Sequence, residues 1–323
     1  MNVIDQNHRQ GRYNQRMIDV TRLQVLVALA KYGTASAAAE ALHYSQPTVS
    51  HHLKRLEAET GAVLMRRVGR GLVLTDDGKR LAARGEEILG LITRASTELA
   101  SAVSLHSGHV RLAIFPSGMA TLAPRIVTEM SQRHPGLQLD IAEAEPPEAE
   151  RLLIEGKVDL AITFTYPQQQ CSDAVTSDVM GEDPLYLVTP PARHIDGTMA
   201  VAGLVDFHDD DWLAGCERCR GYLVSACAQA GFQPNIRFAS DDYVATQALI
   251  AVGHGVTMLP GLALAAHRHP DVEVTRVEGA ARSLRLLSLG RPPLPPALDA
   301  ASAVVKEIVA AVVGSPQPVT VSP

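Results

Sequence analysis

The positions of the apolar residues divide the chain into segments with different periodicities. From Leu23 to Ala30 apolar residues recur at helical spacing, and Gly33 supplies a C-terminal stop signal. Thr34 then caps an alanine-rich run, "ASAAAEALH", and "HYS" makes a short turn before "SQPTVSHHLKRLE". The pattern therefore predicts three short helices in close succession.

The third of these helices has two different faces. Val49, Leu53 and Leu56 repeat at helical spacing and predict a buried face. The opposite face is polar, and its side chains are those of Pro47, Ser50, His51 and Lys54. The proline fits the first turn of a helix, because the N–H that it lacks would have no partner there.

A hairpin and a long helix are predicted to follow. Two β-prone pieces, 63–67 and 72–75, flank "VGRG" and predict a small hairpin. The tip of this hairpin is basic and contains Arg66, Arg67 and Arg70. A helical stripe then continues from Leu81 to Val103. A helix this long needs a partner for its apolar stripe, so we expect it to pair with its copy from a second chain.

From residue 109 the rhythm changes to alternating strands and helices. Strands are predicted in "HVRLAIF", "LQLDIAEAE" and "LAITFT", with helices in "GMATLAPRIVTEMSQRHP" and "PPEAERLLIEGKVD" between them. This βαβαβ order is typical of an open parallel sheet. "DPLYLVTPP" predicts a strand that crosses into a second lobe with helices over 218–231 and 243–253. "LRLLSLG" is expected to return to the first lobe, before a last helix over 296–313.

Composition and charge narrow the class of protein. A chain of 323 residues with 46% hydrophobic and 20% charged residues fits two or three folded domains. Residues 1–75 carry ten Lys/Arg and five Asp/Glu, a charge of +5, so the total of −6 leaves −11 for the remainder. A basic end on an acidic body suggests that the basic end meets a polyanion. No apolar run suits a secretory signal or a membrane span, so we expect a cytoplasmic protein with no membrane role.

A polar face on the second of two closely joined helices is typical of a helix-turn-helix that enters the DNA major groove. The side chains suited to base edges are those of Gln46, Pro47, Ser50 and His51. Lys54, Arg55 and the hairpin arginines are suited to phosphates. Taken alone, the helix also fits an ordinary bundle with a solvated face. The alanine-rich neighbour, the basic hairpin and the long helix favour the DNA-binding interpretation.

The segments "TRLQVLVALAKYGTASAAAEALHYSQPTVSHHLKRLE" and "AETGAVLMRRVGRGLVLTDDGKRL" strongly resemble the N-terminal winged helix-turn-helix of LysR-type transcriptional regulators. The chain that follows resembles the effector domain of that family. The resemblance implies a multi-domain fold, in which an all-α winged helix-turn-helix precedes an α/β domain of two Rossmann-like lobes of the periplasmic-binding-protein type. It also implies binding to double-stranded promoter DNA, a homodimer through the linker helix, a homotetramer, and a small-molecule effector between the lobes.

The resemblance, read with the periodicity, gives domain boundaries and site residues. The segments are a flexible basic arm 1–16, a DNA-binding domain 17–75, a linker helix 76–106, an effector domain 107–314 and a disordered tail 315–323. The first lobe takes 107–184 and 285–314, and the second takes 185–284. Carried over residue by residue, the base readers are Gln46, Pro47, Ser50 and His51, and the phosphate contacts are Thr34, Ser45, Lys54, Arg67 and Arg70.

The effector site is expected at the carboxyl ends of strands, near a switch point of the sheet. "FPSGM" ends a strand and opens a helix, so Ser117 and Gly118 would present a hydroxyl and backbone N–H groups that suit a carboxylate. The other candidates are Thr163, Thr165, Gly215, Cys216 and Ser240. The alternative is that each hydroxyl merely caps a helix or satisfies a loop.

The cysteines leave three interpretations open. Cys216, Cys219 and Cys227 lie together in "GCERCRGYLVSACAQAG", and C-x-x-C raises thiol redox chemistry and metal binding beside a purely structural role. Peroxide-sensing members of the resembled family use two cysteines in this lobe. A structural metal site wants four ligands, so neither a metal nor a cofactor is expected.

Two other classes of protein fit less well. A solute-binding protein would explain a two-lobed body but not the N-terminal module or the missing export signal. An enzyme is disfavoured because "GxSxG", "HExxH", a phosphate loop and a dinucleotide fingerprint do not occur.

Overall fold

The computed structural model describes residues 17–68, 71–103, 108–191, 193, 195, 197–290 and 294–314. The chain forms two compact units. The N-terminal unit extends to Leu99 and includes Ile154–Gly156, and the C-terminal unit takes Ala100–Leu153 and the chain from Lys157 onwards. The basic arm 1–16, the tail 315–323 and Arg70 lie outside the described residues.

The N-terminal unit begins with three helices, as the periodicity predicts. They are α1 (Val20–Tyr32), α2 (Ala35–Ala41) and α3 (Gln46–Thr60). Asp19, Thr34 and Ser45 cap their N-termini, each accepting a hydrogen bond from a backbone N–H of the first turn. Glycines in the left-handed region end α1 at Gly33 and α3 at Gly61. Their caps place the helix boundaries where the sequence signals predict them.

The hairpin and the long helix complete this unit. Strands β1 (Met65–Val68) and β2 (Gly71–Leu74) pair antiparallel, and α4 (Asp76–Val103) follows. Gly78 allows the start of α4 to pack closely, since a Cβ there would lie 2.1 Å from the carbonyl oxygen of Leu64. The core of the unit is one apolar cluster that includes the buried side chains of Leu26, Leu29, Ala39, Val49, Leu53, Leu56 and Leu64.

The C-terminal unit opens with parallel strands, as predicted. They are β3 (Gly108–Ile114), β4 (Leu137–Glu143) and β5 (Leu160–Thr165). The helices between them are α5 (Pro116–Thr121), α6 (Ala123–Arg133) and α7 (Pro146–Ile154). The single helix predicted after β3 is wrong, because the chain breaks at Leu122. Pro124 accounts for the break, since it has no N–H to donate to a carbonyl oxygen of the preceding turn.

Two long strands extend the predicted parallel strands into a mixed sheet, which the βαβαβ rhythm alone does not predict. Strands β6 (Thr176–Thr189) and β11 (Glu273–Ser288) pair antiparallel with each other, and β11 also pairs antiparallel with β5. With β7 (Thr198–Ala200) and β10 (Thr257–Pro260), the strand order is β10–β6–β11–β5–β3–β4, and β7 pairs with β11. Strand β11 begins eleven residues before the predicted "LRLLSLG", because Gly279 and several charged residues interrupt the apolar alternation.

The long strands connect two lobes. The second half of β11 lies between β5 and the first half of β6. The first half of β11 lies between β7 and the second half of β6, which also pairs with β10. The second lobe contains β7 (Thr198–Ala200), a 3-10 helix (Val201–Phe207), β8 (Asp211–Ala214), α8 (Glu217–Gln229), β9 (Asn235–Ala239), α9 (Tyr243–Ala251), β10 (Thr257–Pro260) and α10 (Gly261–Ala266). The last helix, α11 (Pro296–Val313), has the predicted bounds. Among the described residues, no helix is long and apolar enough to span a bilayer.

Candidate nucleic-acid interface and ligand cleft

The start of α3 is fixed by its own side chains. Ser45 Oγ accepts a hydrogen bond from the Thr48 N–H at 3.3 Å and shares another with Thr48 Oγ1 at 2.8 Å. Pro47 lies in the first turn. These local contacts order the N-terminal end of α3 and give Gln46 and Pro47 a defined position there.

The two faces of α3 differ as the sequence predicts. Val49, Leu53 and Leu56 are buried. The opposite side is open to solvent, with exposed side chains at Gln46, Pro47, His51 and Lys54 and a half-buried one at Ser50. The structure therefore brings all the predicted base readers to one surface of one helix. We call this surface, made of these five residues, the reading face.

The neighbouring histidine does not belong to the reading face. The His52 ring stacks on Tyr44, with centroids 5.7 Å apart, and its Nδ1 atom is buried. His43 adopts a positive φ of 55° in the turn between α2 and α3, a conformation that histidine tolerates better than most residues. These residues shape the turn, and they leave His51 as the exposed imidazole of the helix.

The hydroxyl groups of Thr34 and Ser45 have a structural task. Thr34 Oγ1 accepts a hydrogen bond from the Ala37 N–H at 3.1 Å, just as Ser45 caps α3. Both side chains are exposed at helix N-termini. The Thr34 hydroxyl keeps its own proton for donation, and the Ser45 hydroxyl keeps its proton when Thr48 is the donor of their shared bond. A phosphate contact by either residue stays a prediction.

Glu57 connects the reading helix to the hairpin. Its Oε1 atom accepts hydrogen bonds from the backbone N–H groups of Leu64, at 2.8 Å, and Met65, at 3.2 Å. Arg66 and Arg67, which follow directly, are exposed. Glu57, which no sequence pattern singles out, therefore ties the predicted phosphate contacts of the hairpin to α3.

We predict that Glu57→Ala releases the base of the hairpin. Both backbone N–H groups lose an ionised acceptor, and each such bond contributes about 1.5–3 kcal/mol. Hydrogen exchange followed by mass spectrometry should accelerate in the peptide that contains Leu64 and Met65. Glu57→Gln is the matched control, since it keeps an oxygen acceptor. Unchanged exchange in Glu57→Ala would show that the contact does not hold the hairpin.

A cleft lies between the two lobes of the C-terminal unit. Its volume is about 60 Å³, which corresponds to a few water molecules. Side chains and backbone from both lobes line it, including Ser117, Glu145, Phe164, Gly215, Cys216, Cys219, Ser240, Asp241, Tyr243 and Arg282. Four of the predicted effector residues, Ser117, Gly215, Cys216 and Ser240, are thus brought together.

The other three predicted effector residues do not line this cleft. Gly118 faces the core, where a Cβ would lie 2.9 Å from Ile114 Cγ1. Thr163 is fully buried. Thr165 Oγ1 accepts a hydrogen bond from Arg285 Nε at 2.9 Å. Thr163 and Thr165 lie on β5, which is buried on both faces. Their hydroxyls therefore turn into the sheet packing and away from the opening.

Arg282 carries the most deeply buried charge of the cleft, and it is not among the residues predicted from the sequence. Its Nε and one terminal nitrogen lie 2.9 Å and 2.8 Å from Asp183 Oδ2, and that terminal nitrogen donates to Ser117 Oγ at 2.8 Å. The guanidinium also lies over the rings of Phe115 and Phe164, at 4.7 Å and 4.4 Å. The charge is therefore held by an ion pair, a hydroxyl and two aromatic faces.

Arg282 remains charged in this setting. Burial is the largest single influence and lowers the pKa of Arg282, but Asp183, Tyr166 and Cys219 together outweigh it, so the pKa of Arg282 is raised. Arg282 and Asp183 are opposite each other in the β11–β6 register, at the point where the long strands pass from one lobe to the other. A signal for this pair exists in the sequence, because Arg282 is in phase with the buried positions Leu284 and Leu286.

The first turn of α8 joins the second lobe to the first. Arg218 donates to the carbonyl oxygen of Phe164 at 2.7 Å and to Glu150 Oε1 at 2.6 Å. Tyr222 stacks on Tyr166, with ring centroids 4.5 Å apart. Across the cleft, burial raises the pKa of Glu145. The contacts between the lobes thus concentrate on one helix terminus.

Known protein families match both the helix-turn-helix region and the two-lobed region of the chain. Residues 20–79 match the family described as "Bacterial regulatory helix-turn-helix protein, lysR family". Residues 104–310, more than half of the chain, match the "LysR substrate binding domain". The chain belongs to the LysR family. It is a DNA-binding transcriptional regulator with an effector-binding domain.

Curated relatives of this LysR-family chain are also transcriptional regulators. It is 34% identical to the regulator CfxR of Cupriavidus necator over 179 residues, a match that spans 55% of each protein. It is 28% identical to the probable regulator LrrA of Synechococcus elongatus, over 82% of this chain and 90% of that one. It is 26% identical to the dual regulator OxyR of Escherichia coli, over 79% and 83%.

Solved LysR-family structures share the fold. CbnR, described as a LysR family transcriptional regulator, gives a TM-score of 0.59 at 21% identity and covers 90% of this chain and 99% of that one. A full-length OxyR variant from Pseudomonas aeruginosa gives 0.58 at 22% identity, over 91% and 95%. The predicted fold class, a helix-turn-helix unit followed by an α/β substrate-binding domain, is confirmed.

Proposed function

We propose that this LysR-family regulator reads promoter DNA with the reading face of α3. The observation that carries the proposal is the pairing of one fully buried face with one exposed face of amide, imidazole and amine groups. Gln46 can bond adenine through two hydrogen bonds, Ser50 and His51 can reach base edges, and the Pro47 ring suits a thymine methyl group. A full-length CbnR structure in complex with its target DNA supports this use of the fold.

We assign the exposed cations of α3 and β1 to phosphates, including Lys54 at the edge of the reading face. Lys54, Arg55, Arg66 and Arg67 are exposed on α3 and β1. They would set the register on the duplex without carrying sequence information. Arg70 was assigned the same task but lies outside the described residues. Because its target is chromosomal DNA, we propose that the protein acts in the cytoplasm, as a regulator and not as an enzyme.

We further propose that α4 pairs with α4 of a second copy, and that two such dimers form a tetramer. The apolar residues Ile88, Leu91 and Ile92 are exposed on one face of α4. Apolar side chains in such a row normally find a partner surface. Leu99 and Val103, also predicted on this stripe, have side chains outside the described part of the structure.

Leu91→Glu is expected to weaken the dimer. Removing one buried leucine from each subunit costs about 1.5–3 kcal/mol per side chain, so the dissociation constant should rise roughly 10²–10⁴-fold. Sedimentation velocity over a concentration series measures the shift. Ala83→Glu is the control, because it adds the same charge to the same helix away from the apolar row. Equal dimer affinity in wild type and Leu91→Glu would refute pairing through this face.

We propose the cleft between the lobes as the effector site, for a small molecule that carries a carboxylate. Ser117 and Arg282 supply a hydroxyl and a positive charge to the lining. The small volume of the cleft implies that the lobes separate when a larger effector binds. A panel of small carboxylates and matched amides, scored by the shift in Tm, tests this class. Stabilisation by the amides alone would contradict it.

Footprinting on promoter DNA tests the proposed function as a whole. A dimer of dimers should protect a region that spans several helical turns, because each dimer occupies its own pair of half-sites. Leu91→Glu should shorten or abolish this protection. No protection of any promoter fragment by the wild type, at protein concentrations that support the dimer, would overturn the proposal.

A further inference from the structure

Two thiols meet inside the ligand cleft. Cys216 Sγ and Cys219 Sγ lie 3.0 Å apart, and the Cys216 S–H donates to the Cys219 sulfur. Both residues line the cleft and both are half-buried. Gly215 leaves space beside Cys219, since even a Cβ built at Gly215 would lie 3.6 Å from Cys219 Cβ. A disulfide needs a sulfur–sulfur distance of about 2 Å, so the pair has to close by only about 1 Å.

The surroundings of Cys219 favour its thiolate form. The hydrogen bond from Cys216 lowers the pKa of the Cys219 thiol against the effect of burial, and Arg282 and the Tyr166 hydroxyl lower it further. The Tyr166 oxygen lies 3.5 Å from Cys219 Sγ. Glu145 is the negative group that opposes this effect. Cys219 also lies in the first turn of α8, where the helix dipole stabilises a negative charge.

We propose that Cys216 and Cys219 form a reversible disulfide, and that the oxidant is a small hydroperoxide. The Cys219 thiolate attacks one peroxide oxygen, so that an S–O bond forms and the O–O bond breaks. The leaving hydroxide takes the proton of Cys216 and becomes water. The Cys216 sulfur then attacks Cys219 Sγ, the S–S bond forms, and the sulfenic acid oxygen leaves as hydroxide together with its hydrogen. This hydroxide becomes water by taking up from solvent the proton that Cys219 released when it ionised. Two thiols lose two electrons, and the peroxide is reduced to two water molecules.

The geometry selects this pair over the alternatives. Cys227 lies eight residues further along α8, which places it about 12 Å from Cys219 along the helix axis. Cysteines whose Cα atoms are more than about 7 Å apart cannot be joined without moving the backbone. Cys227 is also fully buried, and burial raises the pKa of its thiol to about 12. Cys171 is not part of this pair. Its sulfur instead accepts a hydrogen bond from Ser177 Oγ.

The cleft accommodates the oxidant without moving the lobes. A volume of about 60 Å³ admits hydrogen peroxide, which is little larger than water. Oxidation would remove the negative sulfur beside Arg282 and the acceptor of the Tyr166 hydroxyl. The redox state of the pair is therefore coupled to the contacts that join α8 to the first lobe.

Tryptic mapping of the full-length protein tests the proposal with hydrogen peroxide as the probe. The four cysteines fall in four different tryptic peptides, because Arg218 and Arg220 separate Cys216, Cys219 and Cys227, and Arg193 separates Cys171. The expected product is a peptide ending at Arg218 joined to the dipeptide Cys219–Arg220, with a loss of two mass units that dithiothreitol reverses. Cys171→Ser should behave like the wild type. Cys216→Ser should stop at a Cys219 sulfenic acid that dimedone traps.

Three outcomes would overturn the proposal. They are a link between Cys219 and Cys227, oxidation of Cys171 while the Cys216–Cys219 pair stays reduced, and no loss of thiols in the wild type. The decisive measurement is made on wild-type protein, so it does not depend on whether any variant folds. Because the disulfide is detected by peptide mass, the result does not depend on whether the protein binds DNA.

Discussion

Replacement of Asp183 by alanine is expected to lower the free energy of unfolding of the C-terminal unit by about 3–5 kcal/mol. The carboxylate is fully buried against Arg282, whose guanidinium is also buried. Without its partner, that positive charge would stay in the interior, held only by Ser117 and two aromatic rings. Urea unfolding followed by the fluorescence of Trp212 measures the loss, because it is the one tryptophan of the chain and is buried in this unit.

A matched control lies on the same strand. Asp178 pairs with Lys306 at 2.6 Å, but both side chains are about half exposed. Asp178→Ala should therefore cost less than about 1 kcal/mol. The double variant Asp183→Leu with Arg282→Met should recover much of the stability, because apolar replacement of a buried pair is often neutral. A similar cost for Asp183→Ala and Asp178→Ala would show that the buried pair does not hold the long strands together.

The second large effect is expected in the salt dependence of DNA binding. Among the described residues of α3 and β1, each subunit presents four exposed cations, Lys54, Arg55, Arg66 and Arg67, so these two elements contribute eight in a dimer. Proteins that make 6–10 phosphate contacts lose about 10³–10⁵ in affinity between 50 and 200 mM salt, because each contact releases condensed counterions. Fluorescence anisotropy with a labelled duplex of random sequence measures this slope without knowledge of the operator.

Arg67→Ala should reduce the salt slope by about one for each contact removed, and it should weaken binding to all sequences alike. Arg133→Ala serves as the control, since this exposed arginine belongs to the C-terminal unit and pairs with Glu129 and Glu307. A slope that is the same in wild type and Arg67→Ala would remove the hairpin from the set of phosphate contacts.

Local signals in the sequence predict the N-terminal unit well. Thr34 and Ser45 cap helices, Gly33 and Gly61 end them, and the apolar positions 49, 53 and 56 are buried where the periodicity places them. These features depend on contacts between residues close in sequence. Glu57 escapes the same reasoning, because a surface glutamate on a helix gives no sign that its carboxylate holds a hairpin seven residues away.

The cleft is harder to predict, because its residues meet through long-range pairing. Ser117, Gly215, Cys216 and Ser240 follow from the rule that ligands bind at the ends of strands. Arg282 and Asp183 are separated by 99 residues and meet only through the β6–β11 register. Thr163 and Thr165 show the opposite error, since a polar residue at a strand end can serve the packing instead of the opening.

Gln46→Ala tests whether the reading face of α3 recognises bases. Wild type and variant are each used to select duplexes from a randomised pool, and the bound fractions are sequenced. The wild type should enrich an adenine at one position of each half-site, worth about 1–3 kcal/mol of discrimination. Gln46→Ala should lose preference at that position alone while the rest of the motif persists. Identical motifs from the two proteins, or a variant that merely binds every sequence more weakly, would contradict the account.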